Sequence, residues 1–331
     1  MGIAQSARPV GRENTYLAVL SGEHTKVVKY VVGNATYECR SQRLNAATTD
    51  ALWQIKRITV DGLYTYTDFA SNDDSFDKIA ANYSTYFSAV PATNQTSLLF
   101  DGVNDYATWG TTNYGFARTD AFSISCWVRF GLTATAMGIV SRKIETGNRT
   151  GWAFGRNVTT NFLQFDHVEV ISTNQLRVIT QAALAINTWY HCVYTASGTG
   201  RAAGAKIYVN AASQTLTASV DNLLSGTATV AGLSGDIGRL SLSGNYMGGN
   251  LDEISFWNKE LSQAEVTELY NGGAPLVANA HSAYAASCLS WWRMGEGDTY
   301  PTLTDTKGGI NATMANMLPQ NIVPVYPGSS Y

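Results

Sequence analysis

The chain has 331 residues, of which only 14% are charged, and a net charge of −3 at pH 7, so it carries no basic footprint for nucleic acid or an anionic membrane surface. No run approaches the roughly 20 apolar residues of a membrane span, and the opening MGIAQSARPVGRENTYL lacks the apolar core of a secretory signal. The length suffices for two or three modest domains, and plentiful Gly, Ser, Thr, Asn and aromatic residues with little helical periodicity predict an all-β protein rich in turns.

Residues 1–90 read as a small N-terminal β domain. VVKYVV at 27–32, a strand near Tyr37 and WQIKRITV at 53–60 are β-rich, and Asp61-Gly62 is a type I′ hairpin signal leading into LYTYTDF. Asp73, Asp74 and Asp77 follow in a loop that opens a helical turn; without EF-hand spacing they read as caps and solvated acids. Residues 91–97 (PATNQTS) form a polar linker. In FSISCWVRF, Phe122, Ile124, Cys126, Val128 and Phe130 share one apolar face and Trp127 lies on the other. Trp127, Trp152, Trp189 and Trp257 are expected to pack between sheets rather than stack on sugars. Recognition is expected on loops, at Asn113-Tyr114, Asn148-Arg149, Asn157 and Asn245-Tyr246, because loops on a rigid scaffold usually carry binding.

Residues 251–257 alternate, placing Ile254 and Phe256 on one strand face with Asp252 beside them and Glu253 and Ser255 opposite. A buried Asp252 requires backbone donors, a cation or a basic partner. Ser262 and Glu265 form an S-x-x-E capping box for a helix whose stripe is Val266, Leu269 and Tyr270. Pro324 and Pro327 predict an extended arm over residues 318–331, held by a neighbour in a homo-oligomer.

Catalytic chemistry is not evident. A retaining glycosidase needs two carboxylates about 5 Å apart, and no E-x-D-x-x-E strand pattern supplies them; Asp252 and Glu253 point to opposite faces and Glu260 sits in a turn. His24, His167, His191 and His281 show no paired-ligand spacing, and His191 reads as a packed strand residue. The four cysteines, Cys39, Cys126, Cys192 and Cys288, contain no C-x-x-C pair, and Cys126 and Cys192 read as buried thiols.

The phrase GGNLDEISFWNKELSQAEVTELYNGG at 248–273 resembles the closing segment of laminin-G-like domains in the concanavalin A-like lectin and glucanase superfamily. Further landmarks run in order upstream: LLFDGVNDYA at 98–107, FSISCWVRF at 122–130, GWAFG at 151–155, WYHCVYTASG at 189–198 and GDIGR at 235–239. The resemblance implies a β-sandwich jelly roll over 98–317. It also implies a calcium site at Asp101, Asp105 and Asp252, and in position Cys126 and Cys192 match cysteines that pentraxins join. Residues 290–317 (SWWRMGEGDTYPTLTDTKGGINATMANM) resemble the segment with which such domains normally open. Their place after the closing helix implies a circular permutation, or else a truncated second repeat. The W-x-I-x-R-I and F-A-x-x-x-D-x-F-D patterns near residues 53–77 resemble small domains of tailed-bacteriophage structural proteins. These resemblances together imply a non-enzymatic virion protein, assembled in the host cytoplasm and docked on other head or tail proteins. The alternative is a lectin domain of a fibre recognising host-surface glycans.

Overall fold

Short alternating runs punctuated by turn residues favour strands over helices, and the computed structural model pairs those among the described residues into three antiparallel sheets. It describes the backbone of the strands within residues 4–71, together with residues 94–327 except 112–113, 133–135, 145, 158–159, 226–231, 241–243 and 277–279. The Asp61-Gly62 turn, the Asp73, Asp74 and Asp77 loop, the Cys39 side chain, Asn113 and the last four residues of the expected arm lie outside the described residues.

The chain divides into two units, Met1–Pro91 and Ala92–Tyr331. In the first, β1 (Ala4–Val10), β2 (Glu13–Val19), β3 (Thr25–Val32), β4 (Ala35–Arg43), β5 (Ala51–Ile58) and β6 (Tyr66–Ser71) pair in sequence order as an antiparallel meander. The valine-rich run and the Trp53 run fall in β3 and β5.

The second unit is a sandwich of two sheets. Its strands are β7 (Ser97–Asp101), β8 (Tyr106–Trp109), β9 (Ala121–Phe130), β10 (Met137–Lys143), β11 (Gly151–Arg156), β12 (Leu163–Val170), β13 (Asn174–Thr180), β14 (Trp189–Ser197), β15 (Ala205–Val209), β16 (Ala212–Ser213), β17 (Leu216–Asp221), β18 (Gly235–Ile237), β19 (Gly248–Trp257), β20 (Cys288–Trp292), β21 (Thr302–Leu303), β22 (Ala312–Ala315) and β23 (Ile322–Val323). Among the described residues, one sheet has nine strands in the order β17-β13-β12-β11-β10-β18-β8-β22-β21. The other has eight, β16-β15-β14-β9-β19-β7-β23 with β20 on β19. Alternate residues of β9 and β11 point between the sheets, where Phe122, Ile124, Val128 and Phe130 meet Trp152 and Phe154. Phe256 is the aromatic centre, with ring centroids 4.6 Å from Tyr114, 5.4 Å from Trp292, 5.5 Å from Trp109 and 5.8 Å from Trp152. Full burial of one such ring contributes about 1.5–3 kcal/mol.

The segment after the helix completes both sheets. β19 runs along β9 on one side, while on the other β7 pairs with its first half and β20 with its second. β22 then joins β8, and β23 pairs with β7 at Ile322↔Leu98 and Val323↔Ser97. The expected free arm is therefore corrected. Residues 318–327 form a 3-10 turn and a short edge strand on their own sandwich, with Ser97 Oγ donating to the Val325 carbonyl. Pro324 limits that strand because it has no N–H to give the ladder. The oligomer inferred from the arm loses its basis.

Two further expectations are corrected. The polar linker does not extend to residue 97, since Asn94 is buried and Ser97 begins β7. Of the four tryptophans, only Trp152 belongs to the core between the sheets. Trp257 packs on the outer face of the eight-stranded sheet under Val266 and Leu269 of the helix Gln263–Tyr270. Trp127 stacks on Tyr270 of the same helix at 5.8 Å, and Trp189 is half-buried at the start of β14. Strand alternation sends these residues outward, and the helix, placed by its Ser262–Glu265 capping box, shields Trp127 and Trp257.

Candidate functional site

The inner face of the nine-stranded sheet is apolar, so alternation makes its outer face polar. Register aligns one outward residue from each of eight adjacent strands into a transverse row: Arg177, Asp166, Ala153, Ser141, Asp236, Thr108, Thr313 and Thr302. Seven interstrand steps of ~4.8 Å give the row a length of about 34 Å. Apart from Ala153, every member carries a hydroxyl, carboxylate or guanidinium; Ser141, Asp166 and Asp236 are buried, while Arg177, Thr108, Thr302 and Thr313 reach solvent.

Two acids anchor the row. Asp166 accepts hydrogen bonds from Arg177 Nε at 2.6 Å and Nη2 at 3.1 Å, Gln175 Nε2 at 3.1 Å and Gln164 Nε2 at 2.9 Å, and Lys143 Nζ lies 3.6 Å away. Gln164 in turn accepts from Asn157 Nδ2 at 2.8 Å. Beside this hub a cavity of about 20 Å³ opens between Lys143, Gly155, Gln164, Asp166 and Leu240, which is room for one water-sized group. Three strands away, Asp236 accepts from Arg239 Nε at 2.9 Å and Nη2 at 3.1 Å. Burial pushes the Asp236 carboxyl up, and the Arg239 guanidinium opposes that rise. The same guanidinium lies 3.5 Å over the Tyr106 ring, and Tyr246 sits 6.5 Å from Tyr106. Such stacking and bidentate pairing fix each polar head before any ligand arrives.

The loop residues expected to form one recognition surface are separated. Asn157 joins the Asp166 hub, and Asn245 and Tyr246 border the Asp236 hub, where the Asn245 carbonyl accepts from Gly138 N at 3.0 Å. Asn148 and Arg149 are exposed at the far end of β10 and β11, in a hairpin where Arg149 adopts φ 55°. Tyr114 is not a surface residue. It is 9% exposed with φ 62°, its hydroxyl meets Ser290 Oγ, its carbonyl accepts from Trp152 Nε1 at 2.7 Å, and burial pushes its phenol up to about 12. The left-handed backbone turns its ring inward, which sequence patterning does not reveal.

Asp101, Asp105 and Asp252 do not converge. Asp101 Oδ1 accepts from the amides of Val103 and Asn104 at 2.8 and 3.1 Å, and Asp105 Oδ2 accepts from Asp101 N at 3.0 Å, so both close their own turn. Asp252 lies on β19 opposite Trp127, whereas Asp101 lies on β7 opposite Gly248. Among the described residues no group of three or more His, Cys, Asp or Glu side chains is arranged to hold a metal ion.

Asp252 also departs from the expected face. A bulge between Asp252 and Ser255, with Glu253 at φ 46°, sets two residues of β19 against one of β9. The alternation slips, so Leu251, Ile254 and Phe256 point inward and Asp252 joins Trp127 outside. There it accepts from Asn94 Nδ2 and from the amide of Glu253 at 2.8 Å. Glu253 accepts from Trp291 Nε1 and, at 2.9 Å, from Arg293 Nε. Burial drives both carboxyls up, that of Glu253 to about 7 despite Arg293. This cluster is sealed: Asp252 is 0% and Glu253 3% exposed. Cys126 and Cys192 face each other across β9 and β14 as unlinked buried thiols, and His191 is buried between Trp127 and Tyr270.

Lys143, Gln164, Asp166, Gln175 and Arg177 were not among the expected site residues. Their signal is the alternation itself, since Gln164 and Asp166 flank Phe165, and Gln175 and Arg177 flank Leu176.

The comparison with curated proteins gave no match. Among solved structures, the chain is similar to a putative carbohydrate binding protein from Bacteroides ovatus (13% identity, 89% of this chain and 78% of that chain, TM-score 0.48). It is also similar to a heptameric SAP-like pentraxin from Limulus polyphemus (14%, 54% and 82%, TM-score 0.39). A third is the CBM40 of the Ruminococcus gnavus IT-sialidase bound to α2,3-sialyllactose (10%, 53% and 97%, TM-score 0.41). A laminin-G family model, described as the concanavalin A-like lectin/glucanases superfamily, matches residues 101–267. That stretch runs from the Asp101 turn through the sandwich strands into the capped helix, and the chain belongs to the concanavalin A-like lectin/glucanase superfamily.

Proposed function

We propose that the sandwich is a non-catalytic, lectin-type module that binds a glycan along the polar row of its nine-stranded sheet. The observation that carries this reading is the row itself, with fixed carboxylate, guanidinium, amide and hydroxyl groups flanked by Tyr106 and Tyr246. Sugars are bound through such hydroxyl-matching polar groups beside an aromatic face. The geometry argues against hydrolysis. Asp166 and Asp236 are three strand steps apart in the row, roughly 14 Å, beyond the roughly 5–9.5 Å that retaining or inverting glycosidases use. Each is also committed to an arginine and buried, and the adjacent acids Asp252 and Glu253 are closed to solvent as well.

A glycan array followed by calorimetry on the full chain tests this reading. A polysaccharide ligand should lose binding at least tenfold in Arg177→Ala and Tyr246→Ala, the loss of one or two charge-assisted or stacking contacts. Binding that survives both variants would refute it.

The proposed setting is a tailed-bacteriophage particle, with the 1–91 unit docked on other virion proteins and the sandwich displayed on head or tail. Its support is sequence alone, the resemblance of the patterns at 53–77 and 290–317. Mass spectrometry of purified particles should detect this polypeptide, and its absence would end the assignment.

A further inference from the structure

A second cavity lies at the open seam between the two sheets, away from the polar row. It holds about 10 Å³, room for one oxygen-sized atom. Its walls come from both sheets, His167 and Leu176 from the nine-stranded one and Phe122 and Tyr194 from the eight-stranded one. Its mouth is framed by Arg118 and by the loop 197–201. That loop approaches the Arg118 turn closely: a Cβ on Gly198 would stand 2.6 Å from the Thr119 carbonyl oxygen, and Gly198 has φ 82°. Arg118 and Arg201 both line this mouth.

The polar groups are unevenly matched. His167 is 3% exposed and lines the cavity, yet its ring contact with Phe165 is apolar and neither ring nitrogen has a hydrogen-bond partner among the described residues. Arg118, half-buried, makes no ion pair or hydrogen bond there either. Arg201 Nη1 donates to the Asp221 carbonyl at 2.6 Å and stands 3.9 Å from its carboxylate. The other nearby acid, Asp120, accepts from Ala117 N at 2.7 Å and so closes its own turn. The seam thus presents one uncompensated guanidinium, one partly compensated, and a buried imidazole able to donate. An anionic oxygen would accept from all three.

We propose that this seam is an oxyanion site. One oxygen of a phosphate, sulfate or sugar carboxylate enters the cavity to accept from His167, while Arg118 and Arg201 flank the remaining oxygens at the mouth. The site stands independently of the polar row. Burial holds the His167 imidazole down to about 4, so the free ring is neutral at pH 7 and a bound anion will draw it upward.

The test is a titration of the full chain with sodium phosphate, sodium sulfate and sodium glucuronate, each against chloride at equal ionic strength, following the His167 imidazole by NMR. We expect a saturable shift of His167 and a rise in its titration midpoint, both weakened about tenfold or more in Arg118→Gln and partly restored in Arg118→Lys. Arg118 sits in a half-exposed turn, so these variants fold, and an unchanged melting temperature checks it. Tighter binding of glucuronate than of the inorganic ions assigns the site to acidic glycans; the reverse assigns it to the free ion. A His167 signal that no anion moves beyond chloride, or equal affinity in Arg118→Gln, would overturn the proposal.

Discussion

Replacing Glu253 by glutamine removes a titrating group from the sealed cluster while keeping its shape and a carbonyl oxygen for the Trp291 indole. The wild-type carboxyl moves from 4.5 in the unfolded chain to about 7 in the fold, raised by burial and only partly relieved by Arg293. A rise of that size corresponds to about 3 kcal/mol. Because the folded group holds its proton more tightly, its stability contribution is complete below pH 4.5 and is lost as pH climbs through 7. His167 and His191, held down to about 4 and 3 by burial, act in the opposite sense, stabilising above 6.5 and failing as pH falls. They are common to both proteins and cancel in the difference. The assay is urea unfolding of the full chain at pH 5, 6, 7 and 8, followed through the tryptophans, which apart from Trp53 lie in the sandwich unit. The glutamine variant should gain about 2.5 kcal/mol or more relative to wild type between pH 5 and pH 8, since it also relieves the rise that Glu253 imposes on Asp252, whatever its absolute offset from leaving Arg293 unpaired. Parallel stability curves would refute the assignment of a buried, proton-binding Glu253.

Ser262→Ala removes one half of the capping box and should cost about 1 kcal/mol, read as a lower melting temperature. Gly249→Ala should cost more, about 2–4 kcal/mol, because φ is 131° and the new Cβ would stand 2.1 Å from the Arg129 carbonyl oxygen; the check is again urea unfolding. Burial raises the thiols of Cys126 and Cys192, so a thiol reagent should label them only as fast as the sandwich unfolds, and rapid labelling of native protein would contradict their packing.

What the sequence discloses here is whatever follows an unbroken period. In β9 ten residues alternate without interruption, so the inward set Phe122 to Phe130 is legible, as is the capping box, whose two members lie three residues apart. What it hides depends on single backbone angles. Glu253 at φ 46° shifts the phase of β19 and carries Asp252 to the other face, and Tyr114 at φ 62° turns a ring into the core from a loop that reads as solvent-facing. Non-glycine residues rarely adopt such angles, and no local composition announces them. The polar row is hidden differently. Each member is an ordinary outward residue of its strand, and only the register of eight strands, including β22 from the far end of the chain, brings them into line.

The same register explains why the chain after residue 273 cannot be removed without cost to its beginning. Glu296 accepts from the Gln95 amide and, at 3.1 Å, from Thr96 Oγ1, while Asp252 accepts from Asn94. Two carboxylates thus hold the strand entry at residues 94–96, and Arg293, 2.9 Å from the neighbouring Glu253, is the paired cation. Asn94 Oδ1 is buried without a partner, and a proton on Asp252, whose carboxyl burial raises well above its ordinary range, would give that oxygen a donor. Asn94→Asp therefore adds a further acid to a cluster that already prefers to be protonated. At pH 8 the uncompensated charge should cost about 3–5 kcal/mol, as when one partner of a buried pair is removed. At pH 5 a shared proton removes most of that charge. Melting temperatures of this variant should accordingly rise towards wild type on acidification, the reverse of ordinary acid denaturation. A deficit independent of pH would mean that packing at residue 94, not the protonation of Asp252, controls this junction.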